Sequence, residues 1–180
     1  GSLTVMKDGV DILIESFSKI CGKHSNINLV LIGAGDTVEE EEYVRNLVQT
    51  LKLESRIIFL GLLPRTEVPK YLLNAKILAL ARPKSKVADA GFPSKLTEYL
   101  STGNPVVVTS VGEIPYYLKD NEHAFLAEPD NAEDFAGKLD FVLSNYGTAK
   151  LVGEKGKELT NTIFNYNFQA KRMMTFINSL

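Results

Sequence analysis

Pro93, Ser94 and Lys95 precede Leu96, Tyr99 and Leu100, whose spacing of three and four residues puts the last three on one face of a helix. Proline at the first helical position is pre-shaped for it and gives up no hydrogen bond. The start of such a helix points backbone N–H groups and a partial positive charge outward, which suits an anion such as phosphate. Lys95 fits that reading, because a cation at a helix N-terminus opposes the dipole unless an anion is present too. Ser94 and Glu98 are four apart and share a second face, directed toward the helix start. An acid one turn inside suits something different, a hydroxyl-bearing group attached to the anion. The plainer alternative is an exposed lysine beside a solvated glutamate.

The elements that would position these residues alternate along the chain. "GVDILIESFSKIC" places Val10, Leu13, Ile14, Phe17, Ile20 and Cys21 on one helical face, with Cys21 a buried small apolar residue. "NINLVLIGAG" is a buried strand ending in a glycine turn. Asp36 with Glu39, or Thr37 with Glu40, offers a capping box for a helix through about Lys52. "RIIFLG" reads as a strand, "TEVPKYLLNA" as a short helix and "KILALA" as a strand. An irregular loop at 82–92 leads to the Pro-Ser-Lys helix and the strand "PVVVTS". "IPYYLKD" is a short helix and "AFLAE" a last strand; Asp130 with Glu133 caps a helix through about Leu143. Everything after Tyr146 reads as helical, with a break near Asn165–Asn167. Strands that are apolar throughout and separated by helices indicate a parallel sheet covered on both faces. The expected fold is therefore a doubly wound, Rossmann-like α/β domain, one domain over residues 1–180.

Open parallel sheets bind ligands beyond the carboxyl ends of their strands. The loops there are Gly33–Asp36, Gly61–Thr66, Arg82–Phe92 and Ser110–Ile114, which makes Gly33, Gly35, Leu63 and Arg82 candidate pocket residues. "GAGD" lacks the third glycine of the dinucleotide fingerprint, and no acid follows at the expected strand end, which disfavours a nicotinamide dehydrogenase. Net charge is −2, so no global basic field favours a nucleic-acid polymer. One cysteine excludes an internal disulfide and a thiolate cluster, and favours a reducing compartment. His24 and His123 are too isolated for a zinc site. Neither a metal nor a cofactor is expected, and no apolar run approaches a membrane-spanning length.

"GFPSKLTEYLSTGNPVVVTSVGEIPYYL" resembles the donor-binding half of GT-B glycosyltransferases of the large retaining family called group 1, or family 4. "LVLIGAGDTVEEEEYVRNLVQTLKLESRIIFLGLLPRTEVPKYLLNAKILALAR" resembles that family's succession of strand, glycine turn, helix, strand and tyrosine helix. "KDGVDILIESFSKI" resembles its opening lysine-glycine helix. Nearly the whole chain is covered.

The resemblance implies that Glu98 holds the ribose hydroxyls of a donor nucleotide, matching the second acid of a Glu-x7-Glu pattern. Lys7 matches the lysine that binds the donor diphosphate, aided by the backbone at Pro93, by Ser94 and by Lys95. The family's partner arginine falls at Ser2, and the first acid of the pattern falls at Ala90, with Asp89 one residue out of register. Asp89, Ala90, Gly91 and Phe92 are then the donor-sugar vicinity. The implied activity is transfer of a sugar, with retention, from a nucleotide diphosphate-sugar to an acceptor glycan or lipid-linked sugar. The chain would be the C-terminal half alone, beginning after its first strand, and inactive without the acceptor half. Such an enzyme would be cytoplasmic, or peripheral at the inner face of the membrane. The competing reading is a non-catalytic nucleotide- or partner-binding module of the same fold.

Overall fold

The computed structural model describes residues 3–179. The chain opens with one helical turn, α1 (Val5–Asp8), which ends at Gly9 in the left-handed region (φ 65°). A Cβ at Gly9 would lie 1.8 Å from the Ala81 carbonyl oxygen, so the close approach and the positive φ both require glycine. α2 (Val10–Ile20) follows at once and buries Val10, Leu13, Ile14, Phe17 and Ile20, the face read from their spacing. Cys21 is half-buried at its end rather than enclosed, with its Sγ 3.4 Å from the Ser18 carbonyl.

β1 (Leu29–Ile32), α3 (Val38–Thr50), β2 (Ile57–Gly61), α4 (Val68–Asn74) and β3 (Leu78–Leu80) come next. The loop at 82–92 contains one helical turn, α5 (Lys86–Asp89), capped by Ser85. Then follow α6 (Ser94–Ser101), β4 (Val106–Thr109), α7 (Ile114–Tyr117), β5 (Phe125–Ala127) and α8 (Ala132–Ser144). α9 (Tyr146–Glu158), a 3-10 turn and α10 (Tyr166–Ile177) complete the chain, with the break at Asn165, which caps α10.

The expected α/β architecture with parallel strands is present. β4 shows why its sequence is apolar throughout. Val107 packs into a core formed with α2, α3 and α8, while Val106 and Val108 pack against Leu96, Leu100 and Ile114 on the other face. Each fully buried valine is worth roughly 1.5–3 kcal/mol relative to an exposed one. The strands, however, divide into two sheets, β1-β2 and β3-β4-β5. A cavity of about 650 Å³ is lined by both β1 and β3, with Val10 and Phe17 of α2 contributing. The expected cover on both faces holds for β4, but on β1 and β2 Val30 and Ile58 are exposed, and apolar runs do not say which strands are neighbours.

Two helix starts differ from, or decide between, the expected caps. At α3 it is Thr37 whose hydroxyl accepts from Glu40 N–H (3.2 Å). The Glu40 carboxylate then accepts from Asp36 N–H (3.2 Å) and, across the fold, from Val5 N–H (2.7 Å), fixing the start of α1. At α8 the cap is Asn131, not Asp130: Asn131 is extended and its side chain accepts from Glu133 and Asp134 N–H. Asp130 lies in the left-handed region (φ 57°), and its carboxylate accepts from Lys84 N–H instead. No described helix is long and apolar enough to cross a membrane.

Candidate functional site

The loops at the carboxyl ends of the strands are held close by backbone contacts. After β1, Gly33 donates to the Gly61 carbonyl (2.8 Å), joining the ends of β1 and β2. Gly35 N–H is bound by Glu41 Oε1 (3.1 Å), so the "GAGD" turn is folded onto the first turn of its own helix. A pocket of about 320 Å³ lies here, lined by Gly33, Gly35, Gly61, Arg45 and Phe59 among others. The Arg45 guanidinium stands 4.9 Å from the centre of the Phe59 ring. Arg45 and Phe59 were not singled out in the sequence, and nothing in their local pattern sets them apart from a surface arginine and a strand phenylalanine. Leu63 is half-buried in the following loop.

Around β3 and α6 the packing is tighter. Gly9 presses on Ala81, which brings the end of α1 against the end of β3. Gly112 (φ 54°) presses on the Ala88 carbonyl, where a Cβ would lie 2.3 Å away, which brings the β4 loop against α5. Thr109 donates its hydroxyl hydrogen to the Arg82 carbonyl (2.7 Å), locking the backbone where β3 ends. Arg82 is only 5% exposed, and its Nη1 donates to the Gly91 carbonyl (3.2 Å). Its Nε is buried with no hydrogen-bond partner among the described residues. Burial pushes the guanidinium pKa down, and the nearby Asp8 charge partly offsets that.

Pro93 proves to be the cap of α6 rather than its first helical residue. Its backbone is extended (φ −74°, ψ 115°), and the helix begins at Ser94. Such one-residue differences at helix ends are ordinary. Leu96 and Leu100 are fully buried as the spacing predicts. Tyr99 lines the larger cavity; burial, then the charges of Asp8 and Glu98, push its phenol up to about 12.

The anion that Lys95 calls for is supplied by the protein itself. Lys95 Nζ donates to Asp8 Oδ1 (2.7 Å), and the other Asp8 oxygen accepts from the Thr4 hydroxyl (3.0 Å). In the sequence Asp8 stands between Lys7 and Gly9, and its spacing of four from Thr4 is the local signal of this contact. Lys7 is exposed on α1, the same turn that carries Asp8, so the end of α1 and the start of α6 do meet.

Ser94 and Glu98 are both exposed on α6. Asp89, Ala90 and Gly91 are exposed in the turn before it, while Phe92 is drawn into an aromatic trio with Tyr117 and Phe164 (ring centres 5.6 and 5.2 Å). That trio anchors the turn to the body of the domain. Ser2, where the resemblance sets the family arginine, lies outside the described residues. Among the described residues no cluster of His, Cys, Asp or Glu could hold a metal ion.

A family model described as "Glycosyl transferases group 1" matches residues 2–159. The chain belongs to the group 1 glycosyltransferases. Among its curated relatives is an uncharacterized glycosyltransferase of Methanocaldococcus jannaschii, 28% identical over 88% of this chain and 38% of that one. Another is the gpi3 subunit of a phosphatidylinositol N-acetylglucosaminyltransferase of Schizosaccharomyces pombe, 26% identical over 96% of this chain and 36% of that one. This group 1 glycosyltransferase chain thus spans well under half the length of these relatives.

Solved structures agree on the fold. The C-terminal domain of the group 1 glycosyl transferase LpcC of Francisella tularensis superposes with a TM-score of 0.76 at 23% identity, over 86% of this chain and 78% of that one. Anabaena HepE, in complex with UDP-glucose, gives 0.83 at 16% identity, over all of this chain and 47% of that one. The fold is that of the C-terminal domains of GT-B glycosyltransferases.

Proposed function

We propose that this group 1 domain binds the donor of a glycosyl transfer, a nucleotide diphosphate-sugar, at the carboxyl ends of its parallel strands. The observation that carries this reading is the meeting of three elements there, the end of α1, the end of β3 and the start of α6, which bring Lys7, Arg82, Lys95 and the exposed acid Glu98 to one region. HepE, a neighbour in fold, is described in complex with UDP-glucose, which supports a nucleotide-sugar as the ligand class.

In this reading the amides at 93–95, Ser94, Lys95 and Lys7 take the diphosphate. A helix start and charge-assisted lysine contacts stabilise the negative charge that develops as the sugar leaves. Glu98 accepts from the two vicinal ribose hydroxyls, one on each carboxylate oxygen. Asp89, Ala90, Gly91 and Phe92 flank the donor sugar, with the Phe92 trio holding that turn in place. The parent enzyme would act from the cytoplasmic side, retain anomeric configuration, and bind an acceptor glycan or lipid-linked sugar through a second domain of GT-B type.

Calorimetric titration with UDP, GDP, uridine and NAD tests this. A nucleoside diphosphate should bind and the bare nucleoside should bind far less well. Binding of NAD in preference to either diphosphate would reject the donor reading in favour of a dinucleotide site; binding of none would favour a partner-binding module.

A further inference from the structure

The cavity of about 650 Å³ lies where the two sheets face each other. Among the described residues β1 pairs with β2 alone and β3 with β4 alone, so each strand has one edge without a ladder partner. Those two edges border the cavity. A strand that turns its face to a cavity contributes every second residue, because side chains alternate between faces. Here the lining takes every residue from 27 to 32 and every residue from 74 to 80, as strands presenting their edges do. The remaining walls come from both sides of the sheet. Val10, Phe17 and Leu139 belong to one apolar cluster, while Leu72 and Tyr99 pack against the other. The space therefore lies in the plane of the strands, between two edges, with apolar helices over both faces. A small apolar molecule there would cover side chains but leave the edge N–H and C=O groups unpaired, which is costly once water is excluded. A peptide strand satisfies both edges at once.

The direction and entry of such a strand follow from the segment that closes one end. Leu3 N–H donates to the Ala34 carbonyl (2.8 Å), just beyond the carboxyl end of β1, and Leu3 itself lines the cavity. Gly9, at the far end of α1, is pressed on Ala81, just beyond the carboxyl end of β3. The backbone from Leu3 to Gly9 thus crosses from one strand end to the other. Polypeptide that leads into Leu3 through the cavity runs in the direction of β1 and β3, giving the parallel pairing that the other strands make.

We propose that the cavity is a strand slot, and that its occupant is an extended apolar segment of this polypeptide on the amino-terminal side of Leu3, paired in parallel with β1 and β3. With the slot filled, the two sheets become one. The surroundings set the chemistry of the occupant: about five residues, apolar at every position because both faces are covered, β-branched, and free of proline. This inference goes beyond the donor reading and does not depend on it.

Extending the 180-residue protein at Gly1 by Val-Ile-Val-Val-Ile tests it, with Gly1 and Ser2 as the link. Exchange of the β1 and β3 amides that β2 and β4 leave unbonded should slow by about tenfold or more. The melting temperature should rise by about 5 °C or more. An extension with proline at its second and fourth positions removes the donors that face one neighbour, and should protect neither edge. Should the extension precipitate, the same five residues supplied as a free peptide with a lysine at each end are read by the same exchange. Unchanged exchange at both edges, protection of one edge alone, or equal protection by the proline version overturns the proposal. Edges already protected in the unextended protein, with protection that fades on dilution, assign the slot to a second copy of the chain and overturn it too.

Discussion

Glu98 and Lys7 are both exposed, and their surroundings do not by themselves distinguish binding groups from solvated charges. Ligand chemistry does. If Glu98 serves the ribose, Glu98→Gln should weaken a ribonucleoside diphosphate by several-fold more than its 2′-deoxy counterpart, because a neutral amide accepts through one oxygen only. Equal losses for the two, measured by titration, would remove Glu98 from the ribose. Lys7→Ala should weaken a nucleoside diphosphate by about 1.5–3 kcal/mol, the scale of a hydrogen bond to a charged group, and leave the nucleoside almost unchanged. An unaltered diphosphate affinity would leave Lys7 as a solvated side chain. The sequence made these residues legible because their types and spacing are local properties. Asp8 was not legible in that way: its partner Lys95 is 87 positions distant, and only the fold brings the two to 2.7 Å. Arg82 was legible as a loop residue but not as a buried one, since burial at the end of β3 depends on Gly9 and Gly91 arriving from either side.

At the scale of elements, the main helices and strands follow from apolar spacing, but the caps do so only in part: Thr37 was one of two options at α3, and at α8 Asn131 stands where Asp130 was expected. What spacing could not supply is the way one element's end is tied to another. Glu40, inside α3, accepts from Asp36 N–H ahead of the cap and also holds the start of α1 by accepting from Val5 N–H. Asp140 on α8 accepts from Lys23 (2.7 Å) and contacts His24 Nε2 (2.6 Å), fastening the turn after α2. Hydrogen bonds from Lys23, then from His24, hold the Asp140 pKa below its ordinary value. A depressed carboxyl contributes stability that is present above its unfolded-state pKa, about 3.9, and is lost as pH falls through the folded value. Urea unfolding from pH 6 to pH 3 should therefore show a stability loss below about pH 4 that is smaller in Asp140→Asn. The difference should stay within about 1 kcal/mol, because the pair is near the surface. Identical acid profiles for the two proteins would show that this fastening contributes nothing. At the other end of α1, Gly9→Ala combines a left-handed backbone with a Cβ 1.8 Å from a carbonyl oxygen. It should cost more than the roughly 1–2 kcal/mol of the conformation alone and lower the melting temperature accordingly.

The whole molecule is less uniform than its succession of strands suggests. β4 has a neighbour on each side and no exposed residue, whereas β1, among the described residues, pairs with β2 alone and lines the cavity that it shares with β3. Val30 and Ile58 on the β1-β2 sheet are 41% and 42% exposed. Local opening is easiest where buried contacts are few. Amide exchange at Leu29–Ile32 should thus outpace exchange at Val106–Thr109, and equal protection would show that the two sheets open as one unit. The same division bears on activity. The donor site drawn here uses the end of α1 and the carboxyl ends of the strands, while the curated relatives run to more than twice this length. Two-substrate transfer draws much of its rate from holding both reactants together, an advantage of about 7–11 kcal/mol in well-oriented systems. A domain that holds the donor alone forgoes that advantage. Incubated with UDP-glucose and a panel of saccharide and lipid-linked acceptors, the 180-residue protein should bind nucleotide and form no glycoside. Turnover by this chain alone would mean that the acceptor is bound within these same elements, and the division of labour proposed here would be wrong.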